Sequence, residues 1–256
     1  MEKTQFTREF EDFGIKMYVL AILSIISIFT GGIIQIVMFI IMLFALGDIK
    51  DANLEMQNEK LDKFRKYIIY AVIVGIIGFI LIIIIATIVV ILFFLALPGF
   101  TFSAPITVSE FQQISPLIQI LILVLLGGLP VGAIALGLLV MAWSNFYMFL
   151  SRNSGLFPVD VAEKAAEGAT KVKKSYLYLL ISLIIGAVLV LIAFFVYPQI
   201  EALIIDFIEG TTPTVEQFGG LIALFAIPGI GIAILGITSF ILMILGYFRL
   251  SELKHL

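Results

Sequence analysis

The sequence predicts an all-α, polytopic integral membrane protein, with six transmembrane helices paired as three helical hairpins and both termini on the cytoplasmic side. Three observations predict it. Of the 256 residues, 62% are hydrophobic and 13% are charged; a soluble domain carries about 25% charged residues. A soluble core has no room for this much apolar surface, and a bilayer does. Several uncharged runs exceed the roughly 18 residues expected of a spanning helix. All 15 Lys and Arg residues lie in segments that the hairpin arrangement places on one face.

The elements follow in order within one membrane domain, 1–256. Residues 1–12 mix Glu2, Glu9, Glu11 and Asp12 with Lys3 and Arg8 and read as a polar cytoplasmic segment. No small-residue cleavage site ends a short apolar core, so the first apolar helix itself is expected to serve membrane entry. The first hairpin, 13–48, takes Phe13–Thr30 and Gly32–Asp48 as its arms, turning at Thr30-Gly31-Gly32. Glycine pairs signal turns. Each arm lies near the lower limit of about 17 residues for a crossing, and Lys16 is placed to snorkel.

The second hairpin, 49–150, opens on the polar run 48–66, where Asp51 or Asn53 is placed to cap a following helix. That helix continues into the uncharged run Tyr67–Leu97, longer than one crossing needs. Pro98 to Pro116 reads as a loop with a short interfacial segment near Val108–Ile114. Leu117–Leu150 is the returning span, interrupted at Gly127-Gly128-Leu129-Pro130. The third hairpin, 151–256, begins with a turn at Asn153-Ser154-Gly155, and Asp160 with Glu163 resembles a capping box. The helix runs through Lys171, Lys173 and Lys174 into the span Tyr176–Tyr197. Residues 198–217 are acidic, with an amphipathic Ile200–Ile208 stretch and a Gly-Thr-Thr-Pro turn. Phe218–Leu250 is the last span, broken at Pro228-Gly229-Ile230-Gly231, and SELKHL is a polar tail.

Charge decides the parity of the crossings. Positive loops stay in the cytoplasm. With a turn at Gly31-Gly32, residues 1–16, 48–66, 151–174 and 249–256 share one side and hold every Lys and Arg. The opposite loops hold only acids: Glu110, Glu201, Asp206, Glu209 and Glu216. A single long helix over Met17–Gly47 would move Lys3, Arg8 and Lys16 outside. Tyrosine, which prefers the headgroup level, agrees: Tyr18, Tyr67, Tyr70, Tyr147, Tyr176, Tyr178 and Tyr247 all fall at the proposed inner ends. The expected location is the cell membrane.

The even count exposes a weak threefold repeat. FEDFGIKMYVLAILSII, LDKFRKYIIYAVIVGIIG and TKVKKSYLYLLISLIIG share a polar turn followed by an aromatic-apolar run. Apolar helices also resemble one another by composition alone. The run LGDIKDANLEMQNEKLDKFRKYIIYAVIVGIIG and the ending LGYFRLSEL resemble an uncharacterised archaeal family of multi-pass membrane proteins of unknown function. The resemblance covers mainly residues 14–95 and the last span. It implies a membrane location and carries no catalytic motif.

Chemistry is sparse. There is no cysteine, and the one histidine is His255, so disulfides, thiolate catalysis and histidine-based metal sites are not expected. No Walker, Rossmann, HExxH, GxSxG or nucleic-acid signature occurs, and neither an enzyme nor a cofactor is expected. The polar residues inside the spans are Gln35, Gln119, Ser144, Asn145, Ser182, Thr238 and Ser239, whose simplest role is interhelical or backbone hydrogen bonding. Paired Gly/Pro breaks in two helices are a pointer to a transporter site. On that reading Gln119, Gly128, Pro130, Pro228 and Gly229 are candidate substrate-binding residues. The competing reading of Gly128-xxx-Gly132 is close helix packing. The outer acids match no cation-binding loop and read as a solvated face. The basic clusters Lys60–Lys66 and Lys171–Lys174 suit anionic lipid headgroups. The sequence therefore favours a non-enzymatic scaffold or accessory subunit, homo-oligomeric or bound to another membrane protein. The alternative is a channel or facilitator for a small neutral or apolar solute.

Overall fold

In the computed structural model the described residues are 4–30, 32–96, 106–211 and 215–256, the side chains of 96 and 215–218 excepted. The Gly31 turn position, all of residues 98–105, part of the Gly-Thr-Thr-Pro turn and the Glu216 side chain lie outside them. The described chain is almost entirely helical: α1 (Gln5–Thr30), α2 (Gly32–Met56), α3 (Glu59–Ala96), α4 (Val108–Arg152), α5 (Val159–Ile208) and α6 (Val215–Leu250). All six are long and apolar enough to cross a membrane.

Several features differ from the sequence reading. The polar run after Asp48 is not a connection, because α2 continues to Met56. Only Gln57 and Asn58 separate it from α3. Gln57 takes a left-handed conformation, φ 48°, which stops α2. The Asn58 amide then donates to Asn53 Oδ1 (2.7 Å), and Asn58 Oδ1 accepts from the Lys60 amide (2.9 Å). The cap of α3 is thus Asn58, not Asp51 or Asn53.

The Pro98–Pro116 loop is shorter than expected, because α4 starts at Val108. Thr107 and Glu110 form a capping box. The Thr107 amide and hydroxyl donate to Glu110 Oε2 (2.8 and 2.7 Å), and the Glu110 amide points back to Thr107 Oγ1 (3.3 Å). With the first turn secured, the helix runs through Pro116.

The expected breaks at Gly127–Pro130 and Pro228–Gly231 are absent. Pro130 and Pro228 sit inside continuous helices. A proline removes one donor from the ladder, and a membrane helix tolerates it where the freed backbone groups are re-satisfied locally. For the same reason α5 passes Pro198 and ends at Ile208. Its end is a Schellman motif: Gly210 has φ 81°, its amide donates to Phe207 O (3.2 Å), and the Thr211 amide donates to Asp206 O (2.9 Å).

The chain forms two compact units. The first comprises Met1–Val72, Ala135–Leu180 and Leu235–Leu256. Its centre is aromatic: Phe10, Phe13, Phe64, Trp143, Phe146 and Phe149 are fully buried. Phe10 stacks on Phe149 with ring centroids 5.6 Å apart, and Phe64 meets Trp143 edge-on at 5.1 Å. Such pairs add roughly 0.5–1.5 kcal/mol beyond area burial. Helices α1 and α2 run side by side in opposite senses: the Phe6 amide donates to Glu55 (3.1 Å), and Lys16 pairs with Asp48 (2.6 Å). SELKHL is not a free polar tail. It forms a 3₁₀ turn, Ser251–His255, that buries Leu253. It lies so close to α1 that a Cβ on Gly14 would collide with the backbone of Leu253 and Lys254. Lys164 pairs with Glu252 at 3.2 Å.

The second unit comprises Ile73–Ile134 and Ile181–Ile234. Glycines bring its helices together. A Cβ on Gly78 would meet Val131 at 2.5 Å, one on Gly128 would meet Ile82 at 3.1 Å, and one on Gly132 would meet Leu183 at 3.3 Å. A smaller apolar cluster gathers Phe111 and Ile114 with Phe93, Ile204 and Ile208. Beside it the Tyr197 hydroxyl donates to the Ser115 carbonyl (3.2 Å) and contacts its hydroxyl (3.1 Å). Large side chains such as Phe79, Leu95, Phe195 and Phe207 are at least 65% exposed, a surface suited to lipid rather than water. Every described Lys and Arg belongs to the first unit, and the described charges of the second are all acidic.

Candidate functional site

The residues singled out from the sequence do not converge on one site. Gly128 is occupied by packing against Ile82, and Gly132 by packing against Leu183. The two glycines thus meet side chains of two different helices rather than forming one contact face against a single neighbour. Pro130 lines a groove of ≈350 Å³ together with Leu126, Leu129 and Ala133 of α4 and Leu183, Ile184 and Leu191 of α5. Gln119, Pro228 and Gly229 are not among its lining residues. Gly229 faces open space, with nothing within 4 Å of a Cβ built on it.

A groove of ≈540 Å³ lies between the end of α5 and the start of α6. Ile200, Leu203, Ile204 and Phe207 form one wall, and Leu221, Ile222 and Phe225 the other. A third, of ≈360 Å³, is lined by Val89, Phe93, Leu117 and their apolar neighbours. Among the described residues every side chain lining these three grooves is apolar, and such side chains offer dispersion and exclusion of water. Among the described residues no three His, Asp or Glu side chains gather where a metal ion would be held.

Polar groups inside the helices join helix to helix or helix to itself. Asn145 Nδ2 donates to the Met141 carbonyl of its own helix (2.8 Å). Ser239 of α6 donates to the Ser175 carbonyl of α5 (2.9 Å), and the two hydroxyls lie 2.9 Å apart, both buried. One residue further along α5, the Tyr176 hydroxyl is hydrogen-bonded to that of Tyr247. Trp143 Nε1 and Ser182 Oγ are buried without a partner among the described residues.

Two carboxyls outside the apolar spans are tuned by their neighbours. The Thr107 amide, and then its hydroxyl, hold Glu110 below its ordinary value. The Lys171 ammonium lowers Glu167, with Arg249 adding to it. Glu167 bridges the two cations, at 2.7 Å from Lys171 and 3.2 Å from Arg249 of α6.

Sequence reasoning missed a close backbone approach of two helices. Gly168 of α5 meets Gly246 and Leu250 of α6 backbone to backbone. Its signal lies in the run Ala165-Ala166-Glu167-Gly168-Ala169. A glycine among helix-forming residues costs about 1 kcal/mol relative to alanine and so marks a packing requirement. Ser175 was also missed, because a serine beside a lysine cluster reads as surface. Comparison with protein-family models, curated proteins and solved structures finds no match for this chain.

Proposed function

We propose that the protein is a non-enzymatic integral protein of the cell membrane that acts as a scaffold or accessory subunit of a membrane assembly. Its six apolar helices are arranged as three hairpins with both termini in the cytoplasm. The observation that carries this reading is the contrast between the two units. The first joins separate elements through the ion pairs Lys16–Asp48, Lys164–Glu252 and Arg249–Glu167 and through the buried Ser175–Ser239 hydroxyls, which set a fixed arrangement. The second offers grooves whose described walls are apolar side chains, with no convergent polar group among the described residues to recognise a solute. Its exposed apolar faces are available to lipid, to a second copy or to another membrane protein. The basic side chains of the first unit face anionic headgroups.

A channel or facilitator for an apolar solute is the second reading. It is supported by the groove at Pro130, which is apolar throughout. The two readings separate on purification in mild detergent with mass measurement and identification of co-purifying chains. The scaffold reading expects a homo-oligomer or a defined partner. A strictly monomeric, partner-free particle would sink it. For the orientation, Arg8→Cys should be shielded from an impermeant thiol reagent in intact cells and Ser109→Cys labelled.

A further inference from the structure

The α1–α2 pair carries a chemical mark of where water ends. Lys16 Nζ donates to Asp48 Oδ2 at 2.6 Å, with the two side chains 28% and 14% exposed. The other described charges of both helices lie on one side of this ion pair: Arg8, Glu9, Glu11 and Asp12 on α1, and Lys50, Asp51 and Glu55 on α2. On the other side, Met17–Thr30 and Gly32–Gly47 carry no Asp, Glu, Lys, Arg or His. At 1.5 Å per residue these arms extend roughly 21 and 24 Å. The hydrocarbon core is about 30 Å thick, and a crossing helix needs about 20 apolar residues. Both helices reach a spanning length only when the charged turns beyond the ion pair are included.

Protein cover follows the same gradient. Met17, Leu20, Ala21 and Ser24 of α1, and Ala45 and Leu46 of α2, are buried. Towards the turn Ile28, Phe29, Ile33 and Ile36 are 61%, 83%, 76% and 62% exposed. A turn reaching the far headgroups would be expected to carry charges or an aromatic-belt Tyr or Trp; Ile28, Phe29 and Ile33 stand there instead. The hydroxyls along this end are satisfied within their own helix. Ser24 donates to Leu20 O (2.7 Å), Ser27 to Ser24 O (2.7 Å) and Thr30 to Ile26 O (3.2 Å). They need no water, as residence in hydrocarbon requires.

We infer that α1 and α2 form a re-entrant hairpin, which enters from the face bearing the charged ends, turns within the hydrocarbon among acyl chains, and returns without reaching the other face. The inference rests on the membrane reading above. It leaves α3 to α6 as the crossing helices and keeps the parity of the chain unchanged.

The test uses the full-length protein, whose lack of cysteine gives a clean background. Single variants Arg8→Cys, Phe29→Cys, Ile33→Cys and Ile83→Cys are placed in sealed vesicles of both orientations and exposed to an impermeant maleimide. Arg8→Cys should label from one side only. Phe29→Cys and Ile33→Cys should label from neither side until detergent is added. A nitroxide on either thiol should be reached by oxygen and not by a water-soluble nickel chelate. Labelling of Phe29→Cys or Ile33→Cys from the face opposite Arg8→Cys would show a full crossing, and labelling from the same face would show a hairpin outside the bilayer. Low oxygen access would show cover by protein rather than lipid. Each of these three results overturns the inference. Ile83→Cys, midway along α3, reports separately on the underlying reading: if it labels from water, the membrane assignment of α3 fails whatever the hairpin does.

Discussion

Gly168 of α5 and Gly246 of α6 face one another so closely that a Cβ on Gly168 would lie 2.7 Å from the Gly246 carbonyl oxygen, and a Cβ on Gly246 would lie 3.0 Å from that of Gly168. Neither neighbour is a flexible side chain that can move aside. Gly168→Ala and Gly246→Ala should each lower stability by about 1–3 kcal/mol through overpacking, read as a fall in Tm in detergent. Gly186→Ala is the contrasting case. Its nearest neighbour would be 4.0 Å away, and the gain in helix propensity should leave it neutral or stabilised by up to about 1 kcal/mol.

The Lys16–Asp48 pair should show strong coupling. Lys16→Met alone strands a partly buried carboxylate, with an expected cost of about 2 kcal/mol. Lys16→Met combined with Asp48→Leu should cost less than the sum of the single changes. A double-mutant cycle on thermal unfolding checks this, and additivity would mean that the pair contributes nothing as a unit.

Ser175 and Ser239 link α5 to α6 at a fully buried position. Ser239→Ala removes a donor to the Ser175 carbonyl and should cost about 0.6 kcal/mol, the average for an interhelical bond in a membrane protein. Ser175→Ala on that background should add little further loss in the same unfolding assay.

Gln57 holds a left-handed backbone between α2 and α3. Replacing it by glycine removes the Cβ conflict. Gln57→Gly should raise stability by roughly 1 kcal/mol, and Gln57→Val should lower it. A higher Tm for the valine variant would contradict the left-handed stop.

The Thr107–Glu110 capping box predicts a pH dependence at the start of α4. Hydrogen bonds from Thr107 lower the Glu110 carboxyl from its ordinary 4.5 in the folded state. A depressed carboxyl contributes stability that is present above its unfolded value and is lost as pH falls through the folded one. After correction for intrinsic exchange, amide protection in the first turn of α4 should weaken on acidification below 4.5 and stay constant above it. Glu110→Gln should abolish that acid-side change.

The contrast between what was legible and what was not follows from the range of each interaction. Composition and charge placement alone identified six apolar helices and the confinement of Lys and Arg to particular segments, because both properties are sums over residues that do not depend on neighbours in space. The Thr107-Val108-Ser109-Glu110 box was also readable, being a local motif, yet the prolines at 98, 105 and 116 drew attention away from it. The prolines at 130 and 228 were read as breaks because a proline can kink or break a lone helix; α4 and α6 run through them. Gly14 against Leu253, Gly168 against Gly246, Ser175 with Ser239, and the burial of Leu253 in an apparently polar tail are contacts between residues far apart in the chain. Only the tertiary structure decided them, since a residue's own pattern does not say which backbone it must let approach.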